Sequence, residues 1–444
     1  MNLNMEMVLD ERRETKDERI SGMGMYKLGD LCSDVVDCPH STPEWKNEGI
    51  RVIRNFNIVN GSLDFSNGFF VDEETFEKRT QRACPEFEDL VISREAPMGA
   101  VCMIPKNLKC CLGQRLVLLK INKDVADPNY ILFAIQSQFV QKQIQIIDQT
   151  GSIVSNLNIP DLKSLQIPLP SLPEQKKIAS VLSALDDKIA LNKKMNQKLE
   201  AMAKRLYDYW FVQYDFPDKN GRPYKTTGGP MTYNPTLKRE IPTGWEVSFV
   251  SDVIKPIDRG ISYTSEDIKD SSGIPMINLA CFDKKGNYRT GELKFYSGEY
   301  DESNKVYPLD ILIACTDLTQ KADIIGTPIF LSTEAPFYVF STDLAKITPK
   351  NESYKYFLYY YLKNPTFHRY IKPFASGTTV KHLNVKGVEN YPIFIPDENV
   401  VKQFTETVRP MVIAINERIN EINRLTALRD KLLPLLMNGQ VVVG

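Results

Sequence analysis

The residues able to do chemistry are few and poorly grouped for catalysis. Histidine occurs at His40, His368 and His382, and none stands at ligand spacing from another histidine, a cysteine or an aspartate. His368 sits in an aromatic helical run and reads as a packing residue. Eight cysteines are scattered, with Cys110 adjacent to Cys111 and no CxxC pair. That pattern argues against zinc and fits free thiols in a reducing cytoplasm. Asn364-Pro365-Thr366-Phe367 lacks the second proline of the Asn-Pro-Pro-aromatic loop of amino-methyltransferases. No glycine-rich cofactor loop follows a strand upstream of it, so a helix boundary is the better reading. Pro160-Asp161 followed by Glu174-Gln175-Lys176 imitates the carboxylate–lysine set of metal-dependent nucleases. A long helix, however, carries these groups away from any one metal. There is no P-loop, nucleophile elbow or convincing triad. The sequence predicts no catalytic residue, no metal site and no cofactor bound by this chain.

Recognition by hydrogen bonding needs other residue types, and these are concentrated in loops. After Asp37 come His40, Ser41, Thr42 and Lys46; Arg54, Asn55 and Asn57 follow a strand-like run; Arg94 follows Ser93; Gln114 and Arg115 follow Gly113. A glycine-started loop then offers Ser152 and Asn156. Later in the chain Arg259, Ser262 and Tyr263 follow Asp258, Asn278 follows a strand-like run, and Thr319, Gln320 and Lys321 follow Cys315. A second glycine-started loop offers Thr378, Thr379, Lys381 and His382. Arg, Asn, Gln, Ser, Thr and His are the types that pair with base edges and phosphates.

The elements that must position these loops occur twice. QTGSIVSNLNIPDLKSLQIPLP from Gln149 is echoed by ASGTTVKHLNVKGVENYPIFIP from Ala375, with Gly151 and Gly377, Leu157 and Leu383, and Asn158 and Asn384 all 226 positions apart. Upstream, GIRVIRNFNI from Gly49 corresponds to GIPMINLACF from Gly273, EDLVIS from Glu88 to LDILIA from Leu309, LGDL from Leu28 to VSDV from Val250, and NYILFAI from Asn129 to KYFLYYY from Lys355. A period this long means duplicated domains rather than a solenoid. Short β-like runs, turn signals and a helical stretch at about Pro128–Ile146 predict a mixed α/β (α+β) module. The expected organisation is a charged tail over 1–24, one recognition domain over 25–170, a long helix over 171–213, a linker over 214–244, a second domain over 245–396 and a second long helix over 397–444. The tail has no apolar core and is not a secretory signal. At 444 residues, 42% hydrophobic and 25% charged, the chain has ample material for these cores. No apolar run approaches the ~20 residues of a membrane span. The net charge of −1 cautions against a nucleic-acid binder without excluding a local basic face.

The two long helices carry seam periodicity. In the first, Ser171 and Glu174 predict a reciprocal capping box. Ile178, Leu182, Leu185, Ile189, Leu199 and Leu206 then follow heptad spacing, with Asn192 and Asn196 on the same seam to fix register. In the second, Val408, Met411, Ile415, Ile422 and Leu425 lie on one face, with Arg418 and Arg429 among them. Pro410 is expected to kink this helix or delay its start. Antiparallel pairing would place the modules at opposite ends of a rod with approximate two-fold symmetry. Such symmetry matches duplex DNA. A coiled-coil scaffold joining two protein partners without DNA is the alternative.

LPSLPEQKKIASVLSALDDKIALNKKMNQKLEAMAKRLYDYWFVQYDFP closely resembles the central conserved region of specificity subunits of type I restriction–modification systems. LRDKLLPLLMNGQVVV from Leu428 is similar to their distal conserved region, IPTGWEV from Ile241 to the entry of their second target-recognition domain, and GIRVIRNFNI and EDLVIS to landmarks within those domains. The resemblance implies a non-catalytic cytoplasmic subunit that binds a bipartite double-stranded DNA sequence, one domain per half-site, with the helices setting the spacer. It implies two methyltransferase subunits and restriction/translocase subunits as partners. S-adenosylmethionine, ATP and Mg are then expected on those partners and none on this chain.

Overall fold

The computed structural model describes residues 23–150, 156–269, 272–283 and 288–443. Most of the charged tail, and Ser152 of the first glycine-started loop, lie outside them. The chain divides into two compact units, one of Met1–Lys188 with Leu425–Gly444, the other of Ile189–Arg424.

In the first unit a four-stranded antiparallel sheet runs in the order Cys32–Asp37, Leu116–Ile121, Leu90–Ser93, Val101–Met103. Leu90–Ser93 is buried along its whole length, as a central strand flanked on both faces must be. A second sheet pairs Ile50–Ile53 parallel with Cys110–Leu112 and antiparallel with Phe70–Val71. Gly24–Lys27 pairs with Gln166–Leu169, so the repeated Ile167–Pro170 segment returns to the start of the module. The expected single helix at 128–146 is two, Pro128–Gln136 and Gln138–Thr150. Asp127 caps the first through the Tyr130 amide (3.0 Å), and Pro128 at its first position needs no donor. Ser137 breaks the run, because its extended backbone and its hydroxyl, 3.4 Å from the Val140 amide, start a new helix.

The second unit repeats the plan. Asp258–Arg259, Leu344–Ile347, Ile311–Ala314 and Pro328–Phe330 form its four-stranded sheet in the same order. Ile274–Ile277 pairs parallel with Tyr338–Phe340 and antiparallel with Lys294–Tyr296. Glu246–Phe249 pairs with Pro392–Ile395. The segment 214–244 was expected to be a linker, but it is folded. Phe216 stacks between Tyr224 (4.6 Å) and Trp245 (5.2 Å), Asp215 accepts from the Thr226 amide and hydroxyl (both 2.7 Å), and Met231–Asn234 pairs with Arg239–Pro242. Its Pro/Gly content conceals a set of aromatic residues that only burial can stabilise.

The first long helix runs Leu172–Tyr207 and passes into a π-helical turn at Asp208–Val212; the second runs Glu398–Met437. Within the first unit Ile178 and Leu182 share a core with Leu432, Leu436 and Met437, Leu185 packs against it, and Arg429 pairs with Asp186 at 2.9 Å. Within the second, Asn192 donates to Glu421 (2.8 Å) and Asn196 to the Ile415 carbonyl (3.2 Å). Partners fall in number on one helix as they rise on the other, so the helices are antiparallel. All twelve predicted seam residues are buried or half-buried, Ile189, Leu199, Leu206, Val408, Met411, Ile422 and Leu425 included. The helix continues through Pro410 with no delayed start. Phe404, Val408 and Val412 around it are buried in one core that offsets the lost backbone bond. The capping box is half of what was expected: Glu174 accepts from the Ser171 amide (3.1 Å), but the Ser171 hydroxyl donates to that same carboxylate (2.8 Å).

Candidate nucleic-acid interface

Both copies hang their polar loops from the same backbone frame. In the first unit Gly113 donates to Ile53 (2.7 Å), Arg94 to Arg115 (2.8 Å) and Leu157 to Arg94 (3.0 Å). In the second Ser341 donates to Ile277 (2.9 Å), Cys315 to Asp343 (2.7 Å) and Leu383 to Cys315 (2.8 Å). These bonds align Arg54 with Asn278, Gln114 with Thr342, Arg115 with Asp343 and Arg94 with Cys315.

In the first unit Thr42, Trp45, Arg54, Asn55, Gln114 and Arg115 line one cavity of about 180 Å³. The Arg54 guanidinium lies over Phe69 (4.7 Å), Phe56 (5.0 Å) and Trp45 (5.5 Å). Gly113 allows this approach, since a Cβ there would stand 3.0 Å from Arg54 Cγ. Gln114 Nε2 donates to the Thr42 hydroxyl (3.1 Å) and to the His40 carbonyl. Arg115, exposed and at φ 68°, pairs with Glu95 at 3.0 Å. His40 and Ser41 are exposed on the adjoining loop, and His40 Nε2–H donates to Asp37 (3.1 Å). Asn156 is exposed where the described chain resumes.

Three residues expected at the interface are turned inward. Arg94, 9% exposed, donates to both Asp37 oxygens (2.9 Å each) and to the Leu157 carbonyl (3.0 Å). Asn57 accepts from the Arg54 amide (3.0 Å) and donates to Asp64 and Asn67 carbonyls. Asn278 accepts from the Ala280 amide (2.8 Å) and donates to Glu292 (3.0 Å). Each is buried and bonded to its own module, Arg94 through Nε and Nη1, so each positions loops rather than presenting donors. Lys46 is also answered, by Glu44 (3.1 Å) and Asp72 (3.6 Å). Sequence reasoning missed Arg79, which is buried and donates to Leu112, Ser41 and Pro39 carbonyls, pinning the loop that carries His40 and Ser41. It named Asn55 among the loop residues but missed the part played by Trp45 and Arg51. Arg51 lies over Phe65 (4.5 Å) and Phe70 (5.1 Å). Their signal was arginines alternating with apolar residues beside an aromatic-rich stretch.

In the second unit Lys381–Leu383 pairs with Thr316–Asp317 and with Ala375–Ser376, which brings the two loops together. Thr319, Gln320 and Lys321 are exposed, as are Thr378, Thr379 and His382. Asp317, 2% exposed, holds the first loop by accepting from the Thr319 (2.6 Å) and Ile324 (2.9 Å) amides. The second turns at Gly377, where φ is 123° and a Cβ would meet the Val380 carbonyl at 1.9 Å. Lys381 donates back to the Gly377 carbonyl (2.6 Å). Arg259 is exposed and donates to the Thr342 carbonyl (2.6 Å), Ser262 is exposed beyond it, and the Tyr263 hydroxyl accepts from Lys294 (3.0 Å). Leu318, 71% exposed at the loop tip, had no signal among its polar neighbours.

The segments that imitate catalytic motifs are structurally employed. Asn364 caps Pro365–Ile371 through the Thr366 amide (2.9 Å), Asp161 accepts from its own helix cap Asn158 (2.6 Å), and Glu174 serves Ser171. Burial pushes the Cys32, Cys110 and Cys315 thiols up to about 12 and Cys111 and Cys281 to about 11, the opposite of an activated thiolate. Among the described residues no cluster of His, Cys, Asp and Glu suits a metal ion, and no helix is long and apolar enough to cross a membrane.

Duplicated α/β modules with matched polar loops and paired long helices define a class of two-headed recognition proteins. The family described as type I restriction modification DNA specificity domain matches residues 20–201 and 242–424. The chain belongs to that family, whose members confer DNA specificity and leave catalysis to other subunits. The type I restriction enzyme MjaIX specificity subunit of Methanocaldococcus jannaschii is 28% identical over 381 residues, covering 84% of this chain and 82% of its own. The HindI specificity subunit of Haemophilus influenzae is 23% identical over 380 residues, covering 74% and 81%. In fold, the crystal structure of the type I restriction–modification S subunit from M. genitalium matches 98% of both chains with a TM-score of 0.60 at 17% identity.

Proposed function

We propose that this chain reads a bipartite duplex sequence, each loop cluster engaging one half-site, and lends that address to methyltransferase and restriction subunits in the cytoplasm. The observation that carries the reading is the shared frame: the Leu157-to-Arg94 and Leu383-to-Cys315 bonds support polar loops at equivalent places in both copies. S-adenosylmethionine, ATP and Mg belong to the partners. Two methyltransferase subunits are the expected complement, one per module. Leu191, Met195, Met202 and Tyr209, exposed at near-heptad spacing on the first long helix, offer a partner helix an apolar seam. The paired helices act as the ruler between half-sites. Family membership sets aside a scaffold without DNA.

The test is duplex binding by the full chain with its methyltransferase subunits. Affinity should fall steeply with salt as phosphate neutralisation releases counterions, and mapping of methylated adenines should return one two-part motif. Binding without salt dependence or sequence preference would refute the reading. Four residues inserted after Asn192 should lengthen the helix by ~6 Å and alter the preferred spacer; an unaltered spacer would show that the helices are not the ruler.

A further inference from the structure

The first unit holds a guanidinium in an unusual way. Arginines near carboxylates spend their donors on them, as Arg94 does on Asp37 and Arg115 on Glu95. Arg54 is instead held by rings: Phe69, Phe56 and Trp45 lie 4.7, 5.0 and 5.5 Å from its Cζ, and Trp45 and Phe69 pack edge to face at 4.7 Å. Ring faces attract the cation without accepting its in-plane N–H groups. Among the described residues no carboxylate or carbonyl takes them. The backbone beneath is also fixed, since the Arg54 amide is bound by Asn57, which is itself bound to two further carbonyls. The result is a planar fork on a fixed backbone with its donor edge unspent, lining the cavity it shares with Gln114 and Arg115. Gln114 has its amide nitrogen committed to Thr42 and His40, and Asn55 has its own committed to the Ala96 carbonyl (2.6 Å). The cavity therefore offers positive charge and paired donors, which suit an edge carrying two acceptors.

Resting on the DNA-reading proposal above, we infer that Arg54 is a specificity-determining residue that reads a guanine, through O6 and N7, in the half-site bound by the first unit. Of the four bases guanine alone shows two adjacent acceptors in the major groove. Among the described residues, the aligned positions of the second unit hold no equivalent reader. Asn278 stands at that place as a buried turn cap, and Asp343 replaces Arg115. The guanine requirement belongs to one half-site.

The experiment uses the full chain assembled with its methyltransferase subunits. Methylated-adenine mapping first gives the wild-type motif. Competition binding then uses duplexes in which each guanine is replaced in turn by 7-deazaguanine, which removes N7 alone. One guanine in one half-site should lose about 10-fold affinity on this change, and in R54Q the same change should have no further effect. R54K keeps the cation over the rings without the fork; it should bind duplex DNA yet show the same loss of coupling, and it carries the test should R54Q unfold. A motif without guanine in either half-site would overturn the inference. So would an R54K that retains the coupling, or variants that weaken all duplexes equally, the mark of a phosphate contact. If the wild-type complex shows no sequence preference at all, it is the DNA-reading proposal that fails instead.

Discussion

The two modules share a scaffold and differ in how they stiffen the loop after the central strand. In the first, five residues separate Ser93 from Gly99, and charges hold them: Arg94 to Asp37 within, Arg115 to Glu95 at the rim. In the second, eleven separate Ala314 from Gly326, and one buried carboxylate, Asp317, gathers the amides. At the position of Arg94 stands Cys315, a small buried residue. The same backbone bonds thus tolerate a guanidinium anchored across the module or a thiol that packs. Loop order comes from whichever polar group can be buried with its partners satisfied.

The sharpest way to break this comparison is to delete the anchor at matched positions. Arg94→Ala leaves Asp37 with only the exposed His40 ring as a partner and should cost about 3 kcal/mol, whereas Cys315→Ala should cost about 1 kcal/mol. Equilibrium urea unfolding checks both, and equal losses would show that the ion pair is not the anchor. Next, Asp317→Ala strands two amides and should cost about 2 kcal/mol, while Glu95→Ala, at a half-exposed pair, should cost under about 1 kcal/mol. Hydrogen exchange should accelerate at the Thr319 and Ile324 amides, and their unchanged protection would sink this account of the second loop. A smaller effect concerns the ligand: Arg115→Ala and Lys321→Ala should each lower the salt slope of duplex binding by about 1. An unchanged slope for one of them would place the contact in the other module alone.

The smallest effect is a pH asymmetry. His368 Nδ1–H donates to the Ile325 carbonyl at 3.2 Å, at the end of the second loop, and burial with the nearby Lys372 holds its pKa below the usual 6.5. The folded state then binds fewer protons than the unfolded state, so this contribution to stability rises with pH and is lost as pH falls through and below 6.5. His368→Gln should flatten that dependence; an identical acid slope in the variant would assign it to other groups.

Much of the architecture was legible because repetition is a strong signal. Leu157 and Leu383, spaced 226 apart in sequence, make the same backbone bond, and Gly49 and Gly273, paired by sequence alone, both have positive φ before equivalent strands. The heptad residues came out buried or half-buried because helix periodicity is local. What escaped was set by distant partners. Nothing near Arg94 announces Asp37, and nothing near Asn57 announces the carbonyls of Asp64 and Asn67. Polar residues beside a strand looked like presented donors when they were structural ties. The 214–244 segment misled in the other direction, because its prolines and glycines dominate by count while its Tyr214 and Phe216 are buried in one core with Trp245.

The clamped exits of the loop after the central strand have a consequence for how such a chain changes. Going from five residues to eleven roughly doubles the span, and each doubling adds only about 0.6 kcal/mol of closure entropy. Insertions there leave the Gly99 and Gly326 bonds to Ser93 and Ala314 unstrained. A lineage can therefore lengthen or shorten this segment at almost no thermodynamic penalty. The turn at Gly377, where even a methyl group collides with backbone, must stay as it is.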